Sequence, residues 1–186
     1  MVKNKKLVIA VFCGSKSGKK DIYTQKTQEI SSILTKNSYQ IIYGGGRTGL
    51  MGSLSKVVKK EKGNITGVIP NFLNNPKLVQ TDLSYLHDVK SLSIRKKLMI
   101  DKSDIIIILP GGFGTLDELF EILTMKQLGL SNKRIIIYNI SGFWKYLQKL
   151  ILFLKEEGFI KKSDLNEIHW ARNNKQVINF VKNYHK

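Results

Sequence analysis

The sequence predicts an α/β fold, one domain over residues 1–186 built on a doubly wound parallel sheet. Three observations carry that expectation. Short β-branched runs alternate with stretches of roughly ten to seventeen residues whose apolar positions recur at helical spacing, as in successive βαβ units. One run, Asp104 to Leu109, contains four consecutive isoleucines, the composition of a central parallel strand buried on both faces. Ten of the 15 glycines fall just behind three of the predicted strands. With 42% hydrophobic and 24% charged residues, a chain of 186 residues can bury a core and is not disordered as a whole.

The elements follow in order. Leu7 to Phe12 is an apolar strand stopped by Cys13-Gly14-Ser15, and Asp21 to Asn37 is a helix with Ile22, Ile30, Ile33 and Leu34 on one side. Gln40 to Tyr43 is a second strand, ended by Gly44, Gly45 and Gly46. Leu50 to Lys60 presents Leu50, Leu54, Val57 and Val58 as one helix face. Ile65 to Ile69 is a third strand closed by Pro70. Asn71 to Thr81 is polar and irregular, a loop, and Leu83 to His87 is a short strand. Leu92 to Lys102 is a helix with Ser91 or Ser93 available as its cap. The isoleucine strand follows, then a helix from Leu116 to Leu128 stopped by Gly129. Arg134 to Tyr138 is another central strand and Phe143 to Glu157 another helix. Ile168 to Ala171 and Gln176 to Tyr184 complete the alternation.

Charge and cysteine content narrow the function classes. The net charge is +17, from 31 basic and 14 acidic residues, which raises nucleic-acid binding. Only Arg47, Arg95, Arg134 and Arg172 are arginines, and the lysines spread over the whole length rather than forming one stripe, which argues against it. A single cysteine, Cys13, excludes an intramolecular disulfide and a four-cysteine metal site. Leu7 to Cys13 is too short to span a bilayer and lacks a signal cleavage site, so a cytoplasmic protein with no membrane partner is expected. His87, His169 and His185 show neither metal-ligand nor triad spacing and are read as structural.

In an open parallel sheet, ligands sit beyond the carboxyl ends of the strands. Gly14 and Gly18 follow the first strand, Gly44, Gly45, Gly46, Gly49 and Gly52 the second, and Gly111, Gly112 and Gly114 the isoleucine strand. Three such loops on one rim suit a phosphate held by backbone N–H groups at helix starts. The segment Gly14 to Lys20 is one residue short of a P-loop and has no Ser or Thr after Lys19. Gly44, Gly46 and Gly49 fit G-x-G-x-x-G, but the third strand ends in Pro70-Asn71 rather than in a ribose-binding acid. The richest stretch is Pro110 to Glu118. Acids are scarce in this chain, yet Asp117, Glu118 and Glu121 crowd the start of one helix. Thr115 with Glu118 could form a capping box. A carboxylate beside a phosphate loop could instead have chemical work. Arg95, in a chain that uses lysine almost everywhere, lies with Lys96 on the same rim.

These motifs resemble the LONELY GUY (LOG) family of cytokinin riboside 5′-monophosphate phosphoribohydrolases, long labelled lysine decarboxylases. Its marks here are Phe12-Cys13-Gly14-Ser15, Tyr43-Gly44-Gly45-Gly46 with Gly49-Leu50-Met51-Gly52, Gly67-Val68-Ile69-Pro70, Arg95-Lys96 with Met99, and Pro110 to Glu118 as P-G-G-x-G-T-x-x-E. Thr124 with Gln127-Leu128-Gly129 continues the match. The resemblance implies a Rossmann-like homodimer or an assembly of dimers, without metal or cofactor. It implies hydrolysis of the N-glycosidic bond of a nucleoside 5′-monophosphate to free base and ribose 5-phosphate. Arg95 and Glu118 fall on the catalytic pair, and Lys96, Gly112, Phe113, Gly114, Thr115, Leu116, Asp117 and Thr124 on substrate-contacting positions. The rim glycines add Gly14, Ser15, Gly45, Gly46 and Gly111. Glu118 is assigned to the oxocarbenium-like ribose and its water. Arg95 is assigned either to orienting Glu118 or to assisting the departing base. Leu92, Ser93, Lys77 and Met125 depart from the family pattern around its base pocket. A non-catalytic nucleotide or cofactor carrier on the same fold is the competing expectation.

Overall fold

Seven strands form one all-parallel sheet in the computed structural model, which describes residues 6–166 and 168–184. They are β1 (Val8–Phe12), β2 (Gln40–Tyr43), β3 (Ile65–Pro70), β4 (Tyr85–Val89), β5 (Ile105–Ile108), β6 (Arg134–Tyr138) and β7 (Ile168–Ala171), in the order β4-β3-β2-β1-β5-β6-β7. Six α-helices flank them: α1 (Asp21–Lys36), α2 (Gly49–Lys60), α3 (Leu92–Lys102), α4 (Phe113–Gln127), α5 (Lys145–Glu156) and α6 (Asn174–Lys182).

The isoleucine run explains the layering. All four of its side chains are fully buried, and alternation sends them to opposite faces of β5. Ile105 and Ile107 join a core with Ile30 and Leu34 of α1, Leu50 and Leu54 of α2, and Val177 and Val181 of α6. Ile106 and Ile108 join the other core, with Met99 and Ile100 of α3, Leu119 and Ile122 of α4, and Leu147 and Ile151 of α5. The chain winds from β1 outward through β2, β3 and β4, then returns to place β5 beside β1, in register Val11 with Ile107 and Phe12 with Ile108. The order reverses there, so the loops behind β1 and β5 diverge and open a crevice at the rim.

Several boundaries differ from the sequence reading. The strand expected at Leu83 to His87 lies two residues later, at Tyr85–Val89. It is an edge strand with a mostly exposed surface, so no buried alternation marks its register. The helix expected from Leu116 begins at Phe113, with Gly112 as its N-cap. Thr115 is therefore the third helical residue rather than the cap, and no Thr115–Glu118 capping box forms. Gly49, Gly52 and Gly114 belong to the first turns of α2 and α4 rather than to loops. Ser91, not Ser93, caps α3 by accepting from Ile94 N–H at 3.2 Å. The loop 71–81 contains a 3-10 turn, Asn71–Leu73. His87 lies in β4 beside Val68, and His169 stacks on Phe180 with ring centres 4.8 Å apart. His185 lies outside the described residues.

Candidate active site

The crevice is tied together at Gly14. Its N–H donates to Pro110 O at 3.0 Å, joining the loops behind β1 and β5, and its carbonyl accepts from Leu50 N–H at 3.1 Å and Met51 N–H at 3.3 Å, the start of α2. Thr48 Oγ1 donates to Ser15 O at 3.1 Å. Glycine is required where these segments meet. At Gly49 (φ +57°) a Cβ would run into the Ser15 backbone, and at Gly111 into Thr115 Oγ1. Gly112 and Gly114 are different: a Cβ at either would meet nothing within 4 Å. Packing does not explain glycine there. Its effect is to leave the first N–H groups of α4 bare, since these have no partner within their helix and a glycine N-cap offers no side-chain acceptor.

A cleft of about 680 Å³ opens above this junction. Its floor carries Cys13, Arg95 and Glu118, and glycines from all three rim loops, Gly14, Gly44, Gly46 and Gly111 among them, line it. Glu118 stands one turn into α4, 5% exposed, and its Oε1 lies 3.2 Å from Arg95 Nη1. Arg95 is the fourth residue of α3. Its Nε donates to Val68 O at 3.1 Å, and its guanidinium lies against Gly44, where any Cβ would collide with Nη2. Burial of the Glu118 carboxyl raises its pKa from 4.5 to about 7, with Asp117 and Glu121 adding to the rise and Arg95 and Lys96 opposing it. Burial, reinforced by the Glu118 charge, also pushes the Cys13 thiol far above its ordinary range, so Cys13 is a neutral wall group.

The family model described as "Possible lysine decarboxylase" matches residues 51–181. A cytokinin riboside 5′-monophosphate phosphoribohydrolase of Arabidopsis thaliana is 34% identical over 99% of this chain and 81% of its own length. A probable enzyme of the same name from Oryza sativa subsp. japonica is 36% identical over 95% of this chain and 72% of its own. The chain belongs to the LOG family. The molybdenum cofactor carrier protein of Chlamydomonas reinhardtii superposes with a TM-score of 0.74 over 96% of this chain and 97% of its own. At 20% identity that likeness is one of fold.

Against this LOG-family background, the expected site residues divide. Gly14, Ser15, Gly46, Arg95, Gly111, Gly112, Phe113, Gly114, Thr115 and Glu118 line the one cleft. Gly45, Lys96, Leu116, Asp117 and Thr124 do not. Gly45 faces β3 and pairs through its carbonyl with Gln80 N–H at 2.9 Å. Thr124 is exposed, about two and a half turns along α4 from Thr115, and donates to Phe120 O at 2.8 Å. Lys96 is turned to α4, where its Nζ lies 2.9 Å from Asp117 Oδ2 and 2.6 Å from Glu121 Oε2. The crowded acids are thus shared between two cations rather than facing the Pro110 to Thr115 loop together.

The cleft also uses residues that the sequence reading did not assign to it. Met51, Ile69, Leu73 and Leu78 form an aliphatic wall on the β2–β3 side, and Tyr23 and Phe143, packed edge to face at 5.4 Å, form an aromatic wall opposite. Phe143 follows β6 closely, so the carboxyl-end rule alone could have found it. Leu73 and Leu78 had no such signal. They reach the cleft because residues 71–81 lie across the β2–α2 loop, held by Arg47 N–H to Leu78 O at 2.9 Å and Arg47 Nη1 to Pro76 O at 2.7 Å.

Proposed function

We propose that this chain hydrolyses the N-glycosidic bond of a nucleoside 5′-monophosphate, AMP or an N-substituted adenine nucleotide, releasing free base and ribose 5-phosphate. The observation that carries the reading is Glu118. It is a buried carboxylate on the cleft floor, paired to Arg95, one turn inside the helix whose bare N-terminal N–H groups line the same cleft. The 5′-phosphate takes the N–H groups of Gly112 to Thr115, where the α4 dipole favours an anion. That anchor sets the ribose against Glu118. As the C1′–N bond breaks, the base leaves with the bonding pair and takes up a proton. Positive charge spreads over C1′ and the ring oxygen, and ionised Glu118 stabilises it. Water adds its oxygen to C1′ and loses a proton, which balances the reaction. Arg95 holds the carboxylate in place. The aliphatic wall of Met51, Ile69, Leu73 and Leu78 offers no side-chain hydrogen bond, which favours a base carrying an apolar substituent.

A carrier for a nucleotide or cofactor would need the N–H cradle alone. It has no use for a buried carboxylate with a raised pKa, which destabilises the fold and is typical of reacting groups. The test is incubation with AMP and N-substituted analogues followed by chromatography for free base. Turnover is expected, with a loss of roughly 100-fold or more in Glu118→Gln while ligand binding persists. Tight binding without product in the wild type would establish the carrier instead.

The same reading includes a homodimer. Leu92 and Ile94 of α3, Phe120 of α4, Leu128 and Leu130 behind it, and Leu150 and Phe153 of α5 are exposed on one layer of the molecule, whereas among the described residues no large apolar side chain of α1, α2 or α6 is. A second copy covering that layer removes this asymmetry. Sedimentation should give twice the 21.2 kDa chain mass or a multiple of it, and Leu128→Lys should shift the distribution toward the monomer. A wild type that stays monomeric at high concentration rejects the assembly.

A further inference from the structure

Five charges stand between α3 and α4, and the structure sorts them into two sets. Arg95 meets Glu118, and Lys96 meets Asp117 and Glu121. Asp117 and Glu121 flank Glu118 along α4, one residue before it and three after, so both lie within a turn of it. The Lys96 side chain is only 13% exposed and does not line the cleft, and its ammonium is held by two carboxylates. Burial works against its charge, yet the two partners outweigh burial and keep Lys96 protonated above its ordinary pKa. Without that ammonium, two unpaired carboxylates would sit beside Glu118 and compete for Arg95. The charged and titratable groups around Glu118 are then Arg95 and Lys96 from α3, the Cys13 thiol at the end of β1, and Asp117 and Glu121 of its own helix.

We propose that Lys96 is a positioning residue. By occupying Asp117 and Glu121 it reserves Arg95 for Glu118 and opposes protonation of Glu118 where it faces the sugar. This inference rests on the hydrolase reading for its purpose, but its physical content can be read without substrate.

The experiment follows the Glu118 side-chain carboxyl carbon by NMR pH titration of the labelled, substrate-free protein, with the resonance assigned by its loss in Glu118→Gln. Lys96→Met should raise the midpoint by about one unit, Asp117→Asn and Glu121→Gln should lower it, and Lys96→Arg should restore the wild-type value. Opposite shifts from the two sides of one ion cluster are not produced by a general loss of structure, and Asp117, largely exposed, gives a variant that folds. In turnover, the acid limb of kcat against pH should move with the midpoint, and Lys96→Met should lower kcat with KM within about twofold of wild type. A midpoint that is the same in all the variants overturns the proposal. So does a KM rise of about tenfold in Lys96→Met with an unmoved pH limb, which marks Lys96 as a direct substrate contact. If the wild type turns over no nucleotide, the hydrolase reading falls while the titration still decides the role of Lys96.

Discussion

Glu118 and Arg95 are placed by what surrounds them more than by their own helices. Folded, Glu118 titrates near 7, and unfolded near 4.5. Between those values the folded state holds the extra proton, so stability falls as pH rises through that window, by about 3 kcal/mol in total. Glu118→Gln removes the slope, although it leaves Arg95 without its partner at every pH. Urea unfolding of both proteins at about pH 5 and about pH 8 should show the wild type losing ground to the variant at the higher pH. A pH-independent difference contradicts the assignment. Glycines separate in the same way. Gly44→Ala drives the guanidinium of Arg95 off its seat, so kcat should fall roughly 100-fold with modest loss of stability. Gly112→Ala meets open space, so the fold should keep its Tm while nucleotide binding weakens. Equal effects of the two substitutions on kcat and on binding would remove the distinction between seat and cradle.

Helix α4 shows how an element can be half legible. Leu119 and Ile122 on its inner face give its existence away, but its first three residues read as loop, because glycine is a poor helix former and a frequent loop residue. Starting at Phe113 rather than Leu116 matters chemically. It moves Glu118 from a capping position to one full turn inside the helix, where its side chain points at α3 and not at its own backbone. The 71–81 segment is the opposite case. No periodicity marks it, yet its backbone pairs with the β2–α2 loop, through Gln80 N–H to Gly45 O and the bridge of Gly46 with Val79, and so supplies a wall of the cleft.

At the scale of the molecule, the sheet order does the decisive work. Placing β5 beside β1 brings residues near position 14 against residues near position 110 and builds the cleft from segments almost a hundred residues apart. At the centre of that sheet both faces of β5 are buried. Ile106→Ala should cost about 2–5 kcal/mol by chemical denaturation, whereas an alanine at exposed Tyr85 of the edge strand should cost well under 1 kcal/mol. Comparable losses would mean that the edge strand packs more tightly than its exposure implies.

The sequence by itself determined the α/β alternation, the central strands, the rim that carries the glycines and the prominence of Arg95 and Glu118. All of these are written locally, as spacing, composition and turn chemistry. Only the tertiary structure decided which carboxylate each cation takes, that Lys96 is turned to α4, that Thr124 stands away from the cleft, and that Leu73, Leu78, Tyr23 and Phe143 wall it. Those facts depend on which helices become neighbours across the sheet and on what each side chain loses by leaving water. Neither is encoded within a single stretch of chain.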